Sequence, residues 1–120
     1  ALQNAVRPFE LAIGFSAGAT ALWRALADTR RQQIKQAILF YPGQIHQHLM
    51  LTPQVPTQVI FGHSEPHFVV GDMCRQLQQQ GVIAISTPYA HGFMNQASKA
   101  FDEDGYQQQL VRLKLMMRDL

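Results

Sequence analysis

The sequence predicts an α/β domain, a parallel sheet with flanking helices, and three observations lead to it. Strand-like and helix-like stretches alternate along the chain, the strand-like runs are apolar at consecutive positions, and glycine or proline stops them. Runs apolar at both alternating positions belong to strands that are covered on both faces.

The elements follow in order. Phe9 to Phe15, FELAIGF, is the first strand, and Ala17 to Asp28 is a helix with Leu22, Trp23 and Leu26 on one stripe. Ala37 to Tyr41, AILFY, is a second strand, stopped by Pro42-Gly43. Gln58 to Phe61, QVIF, is a third, stopped by Gly62, and Val82 to Ser86, VIAIS, is a fourth, stopped by Pro88. Between these last two, Phe68 to Gln80 reads as a helix, with Gly81 in the position that glycine favours past a helix end. From Met94 to Leu120 a helical period links Tyr106, Leu110, Leu113 and Met117, while Gly105 interrupts its first part. A loop or short helix and then a long terminal helix are expected there. Right-handed crossovers bring the carboxyl ends of all four strands to one edge of the sheet, the edge at which such sheets carry ligands. The loops after Phe15, Tyr41, Phe61 and Tyr89 are therefore the ones that bear on function.

Composition narrows the classes. The chain has 120 residues, 47% of them hydrophobic and 15% charged, which suits one globular domain spanning residues 1–120. No stretch approaches the roughly 18 apolar residues of a membrane span, so a soluble protein with no membrane partner is expected. The formal charge of +2 is scattered, with only Arg30-Arg31 paired, and such a surface offers nucleic acid no basic stripe. A lone cysteine, Cys74, precludes an internal disulfide, fits a reducing compartment and reads as a packing residue beside Met73 and Leu77. The N-terminus has neither the pattern of a secretory signal nor an initiator methionine, and the cytoplasm is the expected location.

Three of the four loops carry reactive side chains. The first is Gly14-Phe15-Ser16-Ala17-Gly18, a G-x-S-x-G elbow between strand and helix, in which flanking glycines relieve crowding around the serine and the helix start aims its amides at developing negative charge. Three fixed positions are a weak pattern, and a merely structural turn is the bland alternative. A serine hydroxyl needs a base to take its proton, and an imidazole in that role needs a carboxylate to fix its tautomer. Glu65, in GHSEPHF, and His91, in YAHGFMN, lie in loops that reach the same sheet edge as Ser16. Their order, serine then acid then histidine, is that of α/β-hydrolases. Asp72 is the next carboxylate to consider. Two groupings, His46-x-His48 and His63 with Glu65 and His67, have the alternate spacing that sets side chains on one side of an extended segment, yet nothing completes either as a zinc site, and no metal is expected. No cofactor is expected either, since the elbow lacks the lysine of a phosphate-binding loop. Phe68, Tyr89 and Phe93 read as core or pocket wall.

GFSAG, GHSEPHF and YAHGFMN, followed by a long final helix, resemble the C-terminal half of a dienelactone hydrolase-like α/β-hydrolase from about Phe9 to the end. The resemblance implies Ser16 as nucleophile, Glu65 as acid, His91 as general base and the Ala17 amide as one oxyanion donor. Dienelactone hydrolases proper carry cysteine at the elbow and usually aspartate as the acid. Ser16 accordingly suggests a serine esterase-like relative acting on small carboxylic esters or related acyl compounds, while Glu65, one methylene longer than aspartate, needs a loop set farther back to keep the same contact with His91. The family has about as much chain again before the elbow, and FELAIGF is expected as a bare sheet edge, covered by a second copy in a homodimer or by an absent N-terminal half. A non-catalytic module that keeps the fold for self-association is the alternative.

Overall fold

A computed structural model of the chain describes residues 9–28 and 34–118. Its elements are strand β1 (Phe9–Phe15), helix α1 (Ala17–Leu26), strand β2 (Ile34–Phe40), a 3-10 turn (Ile45–His48), strand β3 (Thr57–Phe61), helix α2 (Val70–Gln79), strand β4 (Ile83–Ser86) and helix α3 (Glu103–Arg118). The four strands form one parallel sheet in the order β1-β2-β3-β4, the α/β architecture that the apolar runs predict. Arg30 and Arg31, and the residues ahead of FELAIGF, lie outside the described residues.

Each face of the sheet has its own core. Ala37, Leu39, Val59, Phe61 and Ala84 turn to one face and pack against Ala19, Trp23 and Leu26 of α1 and Val70, Met73, Cys74 and Leu77 of α2. Ile38, Phe40 and Ile60 turn to the other, where Phe93, Met94 and Met116 of α3 and the segment before it cover them. Removing each of these large side chains from water contributes about 1.5–3 kcal/mol. Cys74 belongs to the first core, and burial raises its thiol pKa above the ordinary value, so it is a packing residue as its neighbours suggest. No helix among the described residues is long and apolar enough to cross a membrane.

Element ends depart from the sequence expectation for local reasons. α1 closes at Leu26, because the amides of Ala27 and Asp28 bond the carbonyls of Arg24 and Ala25, three residues back, and so end the α-helical ladder. β2 begins at Ile34, not Ala37: pairing with β1 runs from Phe9↔Ile34 through polar Gln36, whose side-chain amide donates to the Met116 carbonyl at 3.1 Å. α2 starts at Val70 because Phe68 is held in an isolated antiparallel bridge with Glu65. At its far end Gly81 has φ 84°, and the bonds from Gly81 N–H to the Gln78 carbonyl and from Val82 N–H to the Leu77 carbonyl make a Schellman cap. Val82 is thus spent on the cap, and β4 starts at Ile83.

The largest correction concerns α3. Gly105 does not interrupt it: the helix starts at Glu103, capped by the Asp102 side chain, which accepts from the Gly105 N–H at 2.9 Å. A Cβ on Gly105 would stand 2.8 Å from the Tyr89 ring and 3.0 Å from Phe93, so glycine is there to let the helix lie against these aromatics. The buried stripe is shifted one residue from the expected one, running through Gly105, Gln109 and Met116, with Tyr106 and Leu113 partly buried and Met117 exposed. Gln109 and Arg112 are polar, which hides that stripe from a hydrophobic count; Arg112 in fact donates to Gln58 on β3 at 2.9 Å. β1 and β4 are the outer strands of the described sheet, and on β1 Ile13 and Phe15 remain 43% and 44% exposed.

Candidate active site

The elbow is strained in the way its sequence suggests. Ser16 has φ 52° and ψ −119°, a conformation that costs a non-glycine residue on the order of 1–3 kcal/mol and persists only when its surroundings enforce it. Here the Ser16 N–H donates to the Phe40 carbonyl at 2.9 Å, and the Ser16 carbonyl accepts from Thr20 N–H at 3.1 Å as the first bond of α1. The two flanking glycines are not equivalent. A Cβ on Gly14 would lie 2.8 Å from the Ala19 Cα, backbone that cannot give way, whereas one on Gly18 would meet nothing within 4 Å. Only Gly14 relieves crowding. Gly14→Ala is therefore expected to destabilise the fold by about 2 kcal/mol or more, and Gly18→Ala, at an exposed position in the helix, to stabilise it by about 0.5 kcal/mol. Urea unfolding of the two variants checks this, and equal midpoints would contradict it.

The structure brings the three reactive side chains together. Ser16 Oγ is 3.0 Å from His91 Nε2, and His91 Nδ1 is 2.6 Å from Glu65 Oε2. The Glu65 side chain is 1% exposed and that of His91 38%. An ionised carboxylate only accepts, so Nδ1 carries the ring proton and Nε2 is left as the acceptor for the Ser16 hydroxyl. This is the tautomer that a base acting on serine requires. Asp72, the other carboxylate considered, pairs with Arg75 on the surface of α2.

Contacts that the motifs do not advertise hold this line. Gly62 lets the two loops touch: its Cβ would lie 2.7 Å from the Tyr89 carbonyl oxygen and 3.0 Å from the His91 nitrogen. The His63 N–H donates to that same Tyr89 carbonyl at 2.7 Å. Gly43 gives room to the acid, since a Cβ there would stand 3.0 Å from Glu65 Oε1 and 3.6 Å from His91 Cε1. Tyr41, expected as the last residue of a strand, leaves β2 with φ 40° and sets its ring 4.6 Å from the imidazole. Burial raises the Tyr41 phenol above its ordinary pKa, against the smaller opposing effect of a hydrogen bond from the Met94 backbone, so the ring packs against His91 as a neutral group. Gly92, with φ 95°, turns the chain just past His91, and Phe93 anchors that turn in the core.

Ala17 opens α1, so its N–H has no carbonyl four residues back within the helix to bond, and it lies beside Ser16 on the wall of a cleft of about 430 Å³. Thr20, Gly43, Gln44 and His67 complete much of that wall. A second recess, about 600 Å³, is also lined by Ser16 and His91, together with Phe15, Tyr41, Met94, Asn95 and Ser98. Serine and histidine thus line both hollows.

The histidine groupings do not form a metal site. His46 and His48 sit in the 3-10 turn, not in an extended segment, and Glu65 is turned to His91. The His46 ring stacks on His67 at 5.4 Å, and among the described residues no group of three or more histidine, cysteine or acidic side chains could hold a metal ion.

Serine hydroxyl, imidazole and buried carboxylate stand in the relation of a Ser–His–acid triad, placed by the loops after β1, β3 and β4 at the carboxyl edge of a parallel sheet. No family model matches the chain, and no curated protein matches it.

Proposed function

We propose that the protein is a serine hydrolase of the dienelactone hydrolase-like group, cleaving small carboxylic esters or related acyl compounds. One observation carries this reading: the unbroken line from Ser16 Oγ through the His91 ring to Glu65 Oε2, with steps of 3.0 and 2.6 Å. In the reaction, Ser16 Oγ attacks the ester carbonyl carbon while His91 Nε2 takes its proton. The carbonyl oxygen becomes an oxyanion beside the Ala17 N–H and the positive end of α1. The tetrahedral adduct collapses by breaking the bond to the alcohol oxygen, which leaves with the proton from His91. Water, deprotonated by the same ring, then cleaves the acyl-serine to the carboxylic acid and restores the hydroxyl. Glu65, dry beneath the ring, stabilises each transient imidazolium. The chemistry draws only on side chains and backbone, and with a buried single cysteine we place the protein in the cytoplasm.

A second reading, a non-catalytic module that self-associates, is favoured by Ile13 and Phe15, half-exposed on the outer strand β1 where a second copy could cover them. One experiment separates the two. A fluorophosphonate probe is expected to label Ser16 alone and to leave Ser16→Ala unlabelled, because phosphonylation needs a serine with a positioned base. Folded protein that takes up no probe would favour the module.

A further inference from the structure

Of the two hollows that Ser16 and His91 line, one alone is walled by phenyl and phenol rings. The cleft of about 430 Å³ is bordered by Ala17, Gly43, Gln44, Pro66 and His67, and among the described residues no such ring reaches it. The recess of about 600 Å³ is bordered by Phe15 and Tyr41, with Met94 beside them. Their rings make a continuous surface that ends on the imidazole: the Phe15 centroid lies 6.5 Å from that of Tyr41, and the Tyr41 centroid 4.6 Å from that of His91. Phe15 is held in place and yet open. One face of its ring stacks on the fully buried Phe40, with centroids 5.1 Å apart and planes 10° from parallel. A stack covers one face only, and Phe15 remains 44% exposed. A ring fixed in this way offers a flat apolar surface without the entropic cost of ordering a loose side chain.

Resting on the hydrolase reading, we infer that this recess is the subsite for an uncharged aromatic ring of the ester, and that Phe15, on which the ring packs, is a specificity-determining residue. Phe15 is the chain neighbour of Ser16 and borders the same recess, so a ring attached to an ester bound at Ser16 enters the recess directly. Aromatic pairs gain from offset-stacked or edge-to-face contact beyond the area they bury, a gain that a saturated ring of similar size lacks. The charge of the wall points the same way. Among the described residues no aspartate, glutamate, lysine or arginine lines the recess. Asn95 Oδ1 and Ser98 Oγ accept from the N–H groups of Ala97 and Ala100 at 2.9 and 3.0 Å. A charged substituent there loses water and gains no counter-ion. The ring belongs to the acyl portion or to the alcohol, since both are attached to the carbonyl carbon that Ser16 attacks, and the test tells the two apart.

The test compares kcat/KM for two matched pairs of esters in the parent, Phe15→Leu and Phe15→Tyr. Ethyl phenylacetate against ethyl cyclohexylacetate probes the acyl portion, and benzyl acetate against cyclohexylmethyl acetate probes the alcohol. Comparing the aromatic-to-saturated ratio between proteins cancels the intrinsic reactivity of the esters. In one pair that ratio is expected to fall about two- to tenfold in Phe15→Leu and to stay at the parent value in Phe15→Tyr, while the other pair does not change. Without any substitution, benzyl alcohol is expected to inhibit the parent at about two- to tenfold lower concentration than cyclohexylmethanol. The charged analogue 4-(hydroxymethyl)benzoate is expected to need about tenfold more than benzyl alcohol. Ratios that Phe15→Leu leaves at the parent value in both pairs overturn the inference, as does an equal fall in Phe15→Tyr, or benzyl alcohol no stronger than either of the other two alcohols. A change of oligomeric state in Phe15→Leu by sedimentation equilibrium, with both ratios unmoved, would assign the ring to contact with a second copy and also overturn it. Failure of the folded parent to turn over any of the four esters would instead remove the hydrolase reading, and this inference with it.

Discussion

Replacing His91 with alanine is expected to lower kcat for a small aryl ester by about a millionfold while leaving the fold intact. The size follows from the geometry: His91 Nε2, 3.0 Å from Ser16 Oγ, is the only group placed by the described residues to take the serine proton, and in the proposed reaction the same nitrogen later protonates the leaving alcohol. With an exposed ring, the substitution opens little of the core, and circular dichroism and urea unfolding should match the parent. Residual hydrolysis, from the Ala17 amide and substrate binding, is expected to be no lower in the Ser16→Ala, His91→Ala double variant than in either single one, because serine and base act as a unit. Additive losses in the double variant would show that the two residues do not share one step.

Glu65→Gln is expected to reduce kcat by about ten-thousandfold, with little change in KM. Glutamine fits the cavity of the glutamate, but its amide nitrogen can donate to Nδ1, and a ring so engaged turns its proton to Nε2, where it can no longer accept from Ser16. The neutral amide also gives the transient imidazolium no counter-charge. Loss of turnover with retained fluorophosphonate binding affinity would separate this effect on the tautomer from a collapse of the cleft. A variant as active as the parent would remove Glu65 from the mechanism, and Asp72, held by Arg75 on the surface of α2, offers no substitute.

How much of this was legible differs from residue to residue. FELAIGF, AILFY, QVIF and VIAIS read as covered strands because β-structure buried on both faces writes a continuous apolar run. Ser16, Glu65 and His91 could be named because each follows such a run, and in a parallel sheet every strand's carboxyl end reaches the same edge. Gly14 and Gly18 look alike in the motif, yet the space around them differs: one faces the backbone of α1, the other faces nothing. Gly62 and Gly43 follow strand ends, where a glycine reads as a stop signal, and their actual use, room for the neighbouring loop, appears only when the loops are packed together. Tyr41 gave no local sign that it would leave β2 in a left-handed conformation and place its ring against His91.

The same division holds for α3. A helical period was readable from Tyr106 onward, but the sequence offers two adjacent stripes, Tyr106–Leu110–Leu113–Met117 and Gly105–Gln109–Met116, and counts of apolar residues favour the first. Contact with Tyr89 and Phe93, in the segment that precedes the helix, selects the second, and a glycine that would weaken an isolated helix becomes the residue that lets this one dock. By itself, then, the chain determined what depends on periodicity and order: α/β class, number of strands, and the succession of serine, acid and histidine. The tertiary structure alone decided distances and vacancies, namely the 3.0 and 2.6 Å steps of the triad and the room at Gly43 and Gly62. The reason is physical: periodicity is a property of a segment and survives in the sequence, whereas a contact is a property of two segments and exists only once both are in place.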